Sequence, residues 1–393
     1  MDYSRFTESA TGILVPTLYG AKAFVPNKLP PKIDMNEIAL PMAQATASVG
    51  ELRGACRRLP NPFMLIRPLQ LQEALTSSAM EGTHTTDDEL ILAEAGIQKN
   101  PSSETQEVAN YRRALSEALS RIKTEPLTNR LLRDAHRTLL SNVGRMRGSN
   151  KLPGEFKREQ NMIGGYTLDT ARYIPPPPQE TLDCMSDLEK YINREDKTNH
   201  NTIIDMALVH YQIEAIHPFS DGNGRVGRML LSLMAVQDNL LDSPALYLSP
   251  VIERRKDEYI DRMFAVSCCG DWGAWLRFFF KVVEQSCCET VETIDRLIAL
   301  QKSYRDIAST AVRSTNVLSI IDMLFNTPVL TVRDIVDQIG ITDVAARKLL
   351  SRLVDLQILH EYTEVYPKAF LALGIIQAAK PPQSTSAARS SAS

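Results

Sequence analysis

The most constraining feature of the sequence is a run of twelve residues, His217 to Arg228, which reads HPFSDGNGRVGR. Residues 202–216 before it place apolar side chains at the spacing of a helix face. Residues 229–234 after it have the strongly helical composition of a buried helix. The run is therefore predicted to form a tight loop between two core helices, with its glycines at the start of the second helix.

This predicted geometry suits an anionic ligand. Gly222 and Gly224 permit backbone conformations in which successive N–H groups point at one anion. The first N–H groups of the helix that starts near Arg225 have no intrahelical partner, and the helix dipole favours negative charge there. Arg225 and Arg228 are about one turn apart, and we expect them to bind further phosphate oxygens.

Two side chains in the run can supply chemistry. Asp221 offers the hard oxygen ligands that suit Mg²⁺, an ion usually shared with substrate phosphates. His217 is the only group in the run that can accept a proton near neutral pH. A phosphate cradle, a metal ligand and a base together predict attack by a hydroxyl or by water on a nucleotide phosphate.

The run resembles the signature of Fic-domain proteins, His-Pro-Phe-x-Asp-Gly-Asn-Gly-Arg-x-x-Arg, with no departure at any fixed position. The resemblance implies a mainly α fold, a Fic-type helical bundle with a β-hairpin flap, that transfers AMP from ATP to a protein hydroxyl. It makes His217 the base and Asp221 the Mg²⁺ ligand, and it assigns ATP and phosphate binding to Gly222, Asn223, Gly224, Arg225, Val226, Gly227 and Arg228. Tyr259 either stacks on the adenine or belongs to the core.

A second informative stretch lies upstream. A helix predicted at about 68–82 places Ser77 and Glu81 one turn apart and ends at Gly82. The spacing alone favours a solvated helix end. However, Ser-x-x-x-Glu-Gly resembles the inhibitory helix of Fic proteins that regulate themselves, in the class where this helix precedes the Fic motif. That resemblance implies that Glu81 pairs with Arg228 and holds ATP in an unproductive pose.

Residues 155–174 have a different texture. Gly164-Gly165 lies between two short mixed segments, a pattern typical of a β-hairpin. The segment resembles the flap of Fic proteins, whose exposed edge would bind part of a target protein by strand addition. An ordinary surface hairpin is the alternative.

The C-terminal third is predicted to contain a connecting helix and a small domain. The amphipathic helix at 281–310 suits a connector or a homodimer surface. Residues 311–377 have the layout of a winged helix-turn-helix, with helices at 331–340 and 345–356 and a β-wing at 358–366. The positive surplus on the second helix is small, so nucleic-acid binding and protein docking both stay open. Residues 378–393 are predicted to be a disordered tail.

The remaining sequence gives a Fic-associated N-terminal region at 1–110, irregular over 1–35, and a catalytic domain at 111–280. The net charge of −3 and the absence of an apolar run near the roughly 20 residues of a membrane span predict a cytoplasmic protein without membrane contact. The six cysteines include no Cys-x-x-Cys pair and are interpreted as small buried side chains, not zinc ligands. His84 and His136 are interpreted as surface or capping residues and His210 as a core residue.

Two competing functions stay open at this stage. With Glu81 in place, the same site could activate water and remove AMP from a modified protein. Alternatively, the chain could be a DNA-binding regulator whose Fic domain only senses nucleotide.

Overall fold

The computed structural model describes residues 1–18, 20–58, 62–98, 100–144, 151–197, 201–312, 314–363 and 365–380, without the side chains of 62–65. The described chain is mainly α-helical with two small antiparallel sheets, which confirms the predicted fold class. The α-helices are α1 (Met35–Arg57), α2 (Pro62–Ala79), α3 (Asp87–Glu94), α4 (Ser103–Arg121), α5 (Asn129–Leu139), α6 (Pro178–Ile192), α7 (Thr202–Ile216), α8 (Asn223–Gln237), α9 (Ser249–Arg254), α10 (Lys256–Cys269), α11 (Trp272–Ala311), α12 (Asn316–Asn326), α13 (Val332–Ile339), α14 (Asp343–Asp355) and α15 (Leu373–Ala379). Within these described residues, no helix is both long and apolar enough to span a bilayer.

Helices α7 and α8 form the centre of the bundle. Almost every residue of both helices is buried, including their polar ones, which is the pattern of a helix surrounded by other helices. They pack against each other, while α11 and α10 contact α7, and α2, α4 and α5 contact α8. The predicted pair of core helices joined by residues 217–222 is therefore present.

The prediction that residues 1–35 are irregular is wrong for residues 12–26, which form a β-hairpin. Strands β1 (Gly12–Pro16) and β2 (Lys22–Pro26) pair antiparallel, with Gly12 opposite Pro26 and Pro16 opposite Lys22. A proline ends each strand, so the punctuation that suggested irregular chain marks strand ends instead. The Phe24 side chain is fully buried and its N–H donates to the Ile174 carbonyl at 2.8 Å, which ties the hairpin to the 155–174 segment.

Helix α2 begins at Pro62 and not near Pro68, which lies inside the helix. It ends at Ala79, one turn before the predicted end. Gly82 then takes a left-handed conformation with φ 78°, the role predicted for it. Glu81 consequently lies in the turn that follows the helix and not on the helix itself.

The 155–174 segment folds back on itself without forming two continuous strands. Only Ile163 and Tyr173 form a β-bridge, and turns occupy the residues between them. Earlier in the segment, the Lys157 N–H donates to the Pro218 carbonyl at 2.8 Å, so this backbone pairs with the loop after α7. The predicted hairpin flap is thus reduced to a single bridge, and the strand edge expected to receive a target is not formed in this structure.

Helix α11 is forty residues long and starts at Trp272, well before the predicted connector at 281–310. The Asp271 side chain caps its first turn by accepting from the Ala274 N–H at 3.0 Å. It packs along α1 and α7 and then against α12 and α15. The helix is a shared core element and not a free connector.

The last part of the described chain contains α12, β3 (Val329–Leu330), α13, α14, β4 (His360–Tyr362) and β5 (Ala369–Leu371). The strands form an antiparallel sheet in the order β3-β5-β4, and α13 and α14 lie where the two helices of this module were predicted. The strand after β4 lies at 369–371, and the described residues of the predicted strand, 363, 365 and 366, form no strand. The winged-helix assignment stays a prediction. Helix α15 reaches Ala379, where a tail was predicted from 378, and residues 381–393 lie outside the described residues.

Candidate functional site

The loop between α7 and α8 begins and ends with left-handed residues. Helix α7 ends at Ile216, and His217 takes φ 49°, while Gly222 takes φ 77° at the N-terminus of α8. A non-glycine residue in this conformation is strained, so the surrounding contacts must hold His217 in place. The predicted loop and helix start are therefore both present, with the glycine where positive φ requires one.

Asn223 closes this loop from inside. Its side-chain oxygen accepts from the Phe219 N–H at 2.7 Å, and its amide nitrogen donates to the Phe219 carbonyl at 2.8 Å. Phe219 is fully buried. The Asn223 side chain was predicted to stabilise charge on the phosphate, but in this structure it is committed to the shape of the loop.

His136 supports the loop from α5, and its interpretation as a surface or capping residue is wrong. Its side chain is fully buried and stacks on Phe219 at 3.9 Å between ring centroids. Nδ1 accepts from the Gly154 N–H at 2.9 Å, so Nε2 carries the proton and donates to the Asp221 carbonyl at 3.0 Å. Burial, which dominates, lowers the pKa of His136 to about 4 and keeps the ring neutral.

Two further supporting residues were missed in the sequence. The Asn161 amide donates to the carbonyls of His217 at 2.9 Å and Phe219 at 3.1 Å. The Lys157 ammonium donates to Asn161 Oδ1 at 2.8 Å and to the Ile216 carbonyl at 3.1 Å. Burial lowers the pKa of Lys157 to about 7. No local pattern marks these residues, because the backbone carbonyls that they bind at Ile216 and His217 lie more than fifty positions away in the chain.

The two arginines of the run point to different partners. Arg225 is 1% exposed, and its guanidinium donates to Glu107 on α4 at 2.8 Å and lies 3.5 Å from Asp221. Glu107 also accepts from Thr83 at 3.0 Å. We predicted that both arginines bind the same phosphate groups. In this structure Arg225 contacts the residues that support the loop and does not border the cavity described below.

Arg228 makes the contact that the resemblance implied. Its Nε donates to Ser77 Oγ at 2.9 Å, and its Nη2 donates to the Ser77 carbonyl and to Glu81 Oε1, each at 2.8 Å. Burial is the largest single influence on Glu81 and raises its pKa, but the charge and the hydrogen bond of Arg228, with smaller effects of Arg225 and His217, together lower the pKa below its ordinary value. Lys256 also donates to the Met80 carbonyl at 2.7 Å and fixes the turn that carries Glu81.

Two glycines give the acids room against α8. A Cβ at Gly224 would overlap Glu81 Oε1, and a Cβ at Gly227 would overlap Glu214 Oε1. Gly224 and Gly227 lie about one turn apart. The close approach of both carboxyl groups to α8 therefore requires glycine at both positions.

A cavity of about 260 Å³ opens beside these groups. Its charged and polar lining includes His217, Glu81, Arg228, Glu214 and Lys256. Its apolar lining is contributed by Ile163, Tyr211, Ile260, Met263 and Phe264. An apolar wall with a few converging polar groups is the usual construction of a small-molecule site.

Tyr259 meets both interpretations that the sequence left open. It lines the cavity, but it is buried, and its hydroxyl is 2.8 Å from His210 Nε2. Its ring packs near those of Trp275 and Phe278. His210 is a fully buried core residue, as predicted, and His84 is exposed, as predicted. Adenine stacking by Tyr259 stays a prediction.

The electrostatics of His217 keep its ring unprotonated. Burial contributes most to lowering its pKa to about 4, Lys157 adds to this, and Glu81 opposes it. The ring is therefore neutral at pH 7 and can accept a proton. It lines the same cavity as Arg228 and Gly224.

Asp221 fits one part of a magnesium site. Its Oδ1 accepts from the Gly222 N–H at 2.6 Å, and its side chain is 31% exposed. Among the described residues, no cluster of three or more His, Cys, Asp or Glu side chains could hold a metal. A single carboxylate combined with substrate phosphates is nevertheless a usual way to bind Mg²⁺. The chemistry of Asp221 thus agrees with the predicted ligand, and the metal itself stays a prediction.

All six cysteines are free, and the interpretation as buried side chains holds for Cys56, Cys268 and Cys287. Cys269 and Cys288 are exposed. Each exposed cysteine follows a buried one on a helix, where adjacent side chains point about 100° apart.

The protein is a helical bundle whose two central helices are joined by a loop that carries a histidine. The second of these helices starts with glycines and borders a cavity. Residues 40–120 match the Fic/DOC family N-terminal model, and residues 126–235 match the Fic/DOC family model. Over these two regions the chain is similar to the Fic/DOC family.

Curated relatives carry the name protein adenylyltransferase Fic. The protein from Culex quinquefasciatus is 30% identical over 165 residues, which cover 42% of this chain and 29% of the relative. The protein from Drosophila ananassae is 26% identical over 167 residues, covering 42% and 30%. The matched region thus spans about three tenths of the length of these relatives.

Solved structures agree on the fold. A Fic family protein from Desulfovibrio desulfuricans has a TM-score of 0.56 at 18% identity, and the similarity covers 88% of this chain and 98% of that chain. A fragment of Fic-1 from C. elegans has a TM-score of 0.52 at 21% identity, covering 66% and 75%.

Proposed function

We propose that the protein is a protein adenylyltransferase, which transfers AMP from ATP to a hydroxyl side chain of a target protein. The hydroxyl oxygen attacks the α-phosphorus, and the bond from this phosphorus to the bridging oxygen of the β-phosphate breaks. His217 takes the hydroxyl proton, and pyrophosphate leaves. The products are an AMP–protein phosphodiester and pyrophosphate.

The observation that carries this proposal is that a neutral His217 and the cationic Arg228 line one cavity with Gly224 of the helix start. A base and a phosphate-binding cation must face the same ligand for in-line transfer. Relatives named protein adenylyltransferase over the matched region support the same reaction.

The supporting roles follow from position. The N–H groups of Asn223 and Gly224 at the start of α8 would stabilise charge on the transferred phosphate, and that of Gly222 could do so only after leaving Asp221, to which it donates in this structure. Arg228 binds the terminal phosphates once its present partners release it. Asp221 would hold Mg²⁺, which neutralises phosphate charge when bound. Val226, which was predicted to bind phosphate, is buried in the core and does not line the cavity, and Gly227 leaves the space described above.

We further propose that Glu81 inhibits transfer. Glu81 and Ser77 provide the three bonds that hold Arg228, and these bonds use the donors that a γ-phosphate needs. A carboxylate there also repels the phosphate. ATP would then bind with its α-phosphate turned away from His217.

The target would dock beside the 155–174 segment, which borders the cavity through Ile163, Arg172 and Tyr173. Only one β-bridge is formed there, so strand addition requires this segment to extend on binding. A hydroxyl on the docked segment would then reach His217.

The test uses ATP labelled in the α-phosphate, with Mg²⁺ and the unaltered protein, Glu81→Gly, and Glu81→Gly combined with His217→Ala. Label on the chain itself is expected with Glu81→Gly and not with the double variant. Equal labelling of the unaltered and Glu81→Gly proteins rules out inhibition by Glu81, and labelling by the double variant rules out His217 as the base. Release of AMP from pre-labelled protein measures the competing activity, in which water removes AMP from the modified protein.

A nucleic-acid function has less support from the C-terminal module. On α14, Arg347 pairs with Asp343 at 2.7 Å and Arg352 lies 3.7 Å from Asp355. These basic side chains are balanced locally, which weakens any phosphate attraction. The winged-helix assignment, the domain boundaries, homodimer formation and the cytoplasmic location stay predictions. A gel shift at several salt concentrations tests whether the protein binds DNA.

A further inference from the structure

Glu214 is a carboxylic acid in the cavity that the roles above do not use. It lies on α7 one turn before His217 and lines the same cavity. Its Oε1 is buried and accepts no hydrogen bond within the described part of the chain. A buried carboxylate oxygen without a donor is unfavourable, so a group of this kind calls for an explanation.

The position of Glu214 relates it to the phosphate-binding arginine. Its Oε1 lies against Gly227, the residue before Arg228, just as Glu81 lies against Gly224 one turn earlier. Both acids therefore lie against one face of α8, beside the residue that carries the phosphate-binding guanidinium. Glu81 is hydrogen-bonded to Arg228, whereas no ion pair within 4.0 Å joins Glu214 to Arg228 among the described residues.

The charges that face Glu214 partly offset one another, so burial and the ligand in the cavity decide its protonation. The facing groups come from every element around it: Glu81 after α2, His210 and His217 on α7, Arg228 on α8, Lys256 and Tyr259 on α10, and Arg172 of the 155–174 segment. His210 and His217 are neutral, and Arg228 is already matched by Glu81. A triphosphate in this cavity adds several negative charges, so a second ionised carboxylate would be repelled.

We propose that Glu214 is a further nucleotide-binding residue, which donates a hydrogen bond to the triphosphate as a neutral acid and takes up a proton from solvent when the nucleotide binds. The inference rests on the proposed function only in that the cavity must hold ATP. Only a proton is transferred: it leaves a solvent acid, forms an O–H bond on the carboxylate, and this O–H donates to a phosphate oxygen.

The titration of Glu214 agrees with this geometry. Burial, the largest influence, raises its pKa to about 7, Arg228 lowers it, and Glu81 raises it further. The acid is therefore partly ionised at neutral pH in the free protein. Bound phosphate shifts the balance to the neutral form, so ATP affinity should fall as pH rises above about 7.

The experiment measures the Kd of Mg-ATP by calorimetry between pH 6 and 8.5, in the Glu81→Gly background with Glu214 or with Glu214→Gln. Glutamine has the shape and the donor of the neutral acid but cannot ionise. We expect Kd to rise about fivefold to tenfold from pH 6.5 to 8 with Glu214, beyond the change seen with glutamine. The comparison cancels the titration of the nucleotide itself.

A matched control is Asp205→Asn, which neutralises another buried acid of α7. Asp205 bonds to Tyr191 and Arg194 outside the cavity, at 2.8 Å and 2.6 Å. This variant should lose stability and keep the pH dependence of Kd. Calorimetry in two buffers of different ionisation enthalpy gives a second measurement, with net proton uptake expected for Glu214 and less for Glu214→Gln.

Equal pH dependence of Kd with Glu214 and with glutamine, or equal proton uptake, overturns the inference. ATP binding without AMP transfer to any protein overturns the proposed function and leaves the inference to be decided by these data. Absence of ATP binding at every pH overturns both.

Discussion

The two sides of the His217 loop are built differently. On the supporting side, Arg225 and Glu107 are both 1% exposed at the side chain and joined at 2.8 Å. On the cavity side, Arg228 is equally buried, but its partner Glu81 is 35% exposed. One arginine is fixed by a group that solvent and ligands cannot reach, and the other by a group that can be displaced. Two arginines three positions apart thus serve the fold and the site respectively.

The largest effect on activity is expected on the cavity side. His217→Ala in the Glu81→Gly background should reduce AMP transfer by about 10²-fold to 10⁴-fold, the range for loss of a general base. Its melting temperature should change little by comparison. Labelled-ATP transfer and thermal unfolding measure the two quantities, and a collapse of stability with activity would place His217 in the supporting group instead.

The largest effect on stability is expected on the supporting side. Glu107→Ala leaves the buried Arg225 without its carboxylate and should lower the free energy of unfolding by about 3–5 kcal/mol. Chemical denaturation measures this loss. The matched change on the other side is Glu81→Gly, which should cost much less because its ion pair is partly solvated. Equal losses of unfolding free energy for Glu107→Ala and Glu81→Gly would show that the two ion pairs contribute equally to stability, contrary to this comparison.

The pH dependence of stability sharpens the comparison. His136, His210 and His217 have pKa values lowered to about 4, 3 and 4, mainly by burial. The unfolded chain therefore binds more protons than the folded chain below about pH 6.5, so stability is lost as pH falls and is constant above that value as far as these groups contribute. Each histidine contributes a slope of up to about 1.4 kcal/mol per pH unit.

The measurement is urea unfolding from pH 4.5 to 7.5 for the unaltered protein, His136→Gln and His84→Gln. The acid slope should fall for His136→Gln and stay unchanged for the exposed His84→Gln. An unchanged slope for both variants would mean that His136 is not held neutral under Phe219.

The smallest effect is expected for Asn161→Ala. This change removes two hydrogen bonds from its amide to the loop and should cost roughly 1–3 kcal/mol of stability. Because the His217 backbone is left-handed and depends on such contacts, AMP transfer should also fall while the KM for ATP stays nearly constant. A rise in KM alone would show that Asn161 contacts the nucleotide and not the loop.

The sequence was informative where chemistry is local. The run from His217 to Arg228 predicted a loop, a glycine-lined helix start and a base, and the motif at Ser77 and Glu81 predicted the partner of Arg228. These features depend on neighbours within a few positions or on a motif that specifies both partners.

The sequence was uninformative where support comes from a distance. Glu107 lies 118 positions from Arg225, and His136 lies 85 positions from Asp221. Helical spacing placed Arg225 and Arg228 close to one face, but burial against α4 decided the direction of Arg225. Lys157 and Asn161 lie in the segment predicted as the first strand of a hairpin, and their hydrogen bonds to the loop take the place of that strand.

The most direct test of the account is the amount of AMP label on protein after incubation with α-labelled ATP and Mg²⁺, compared between the unaltered chain and Glu81→Gly. The account predicts a large increase for Glu81→Gly that His217→Ala abolishes. The same low labelling in both proteins, with ATP bound in both, would contradict it.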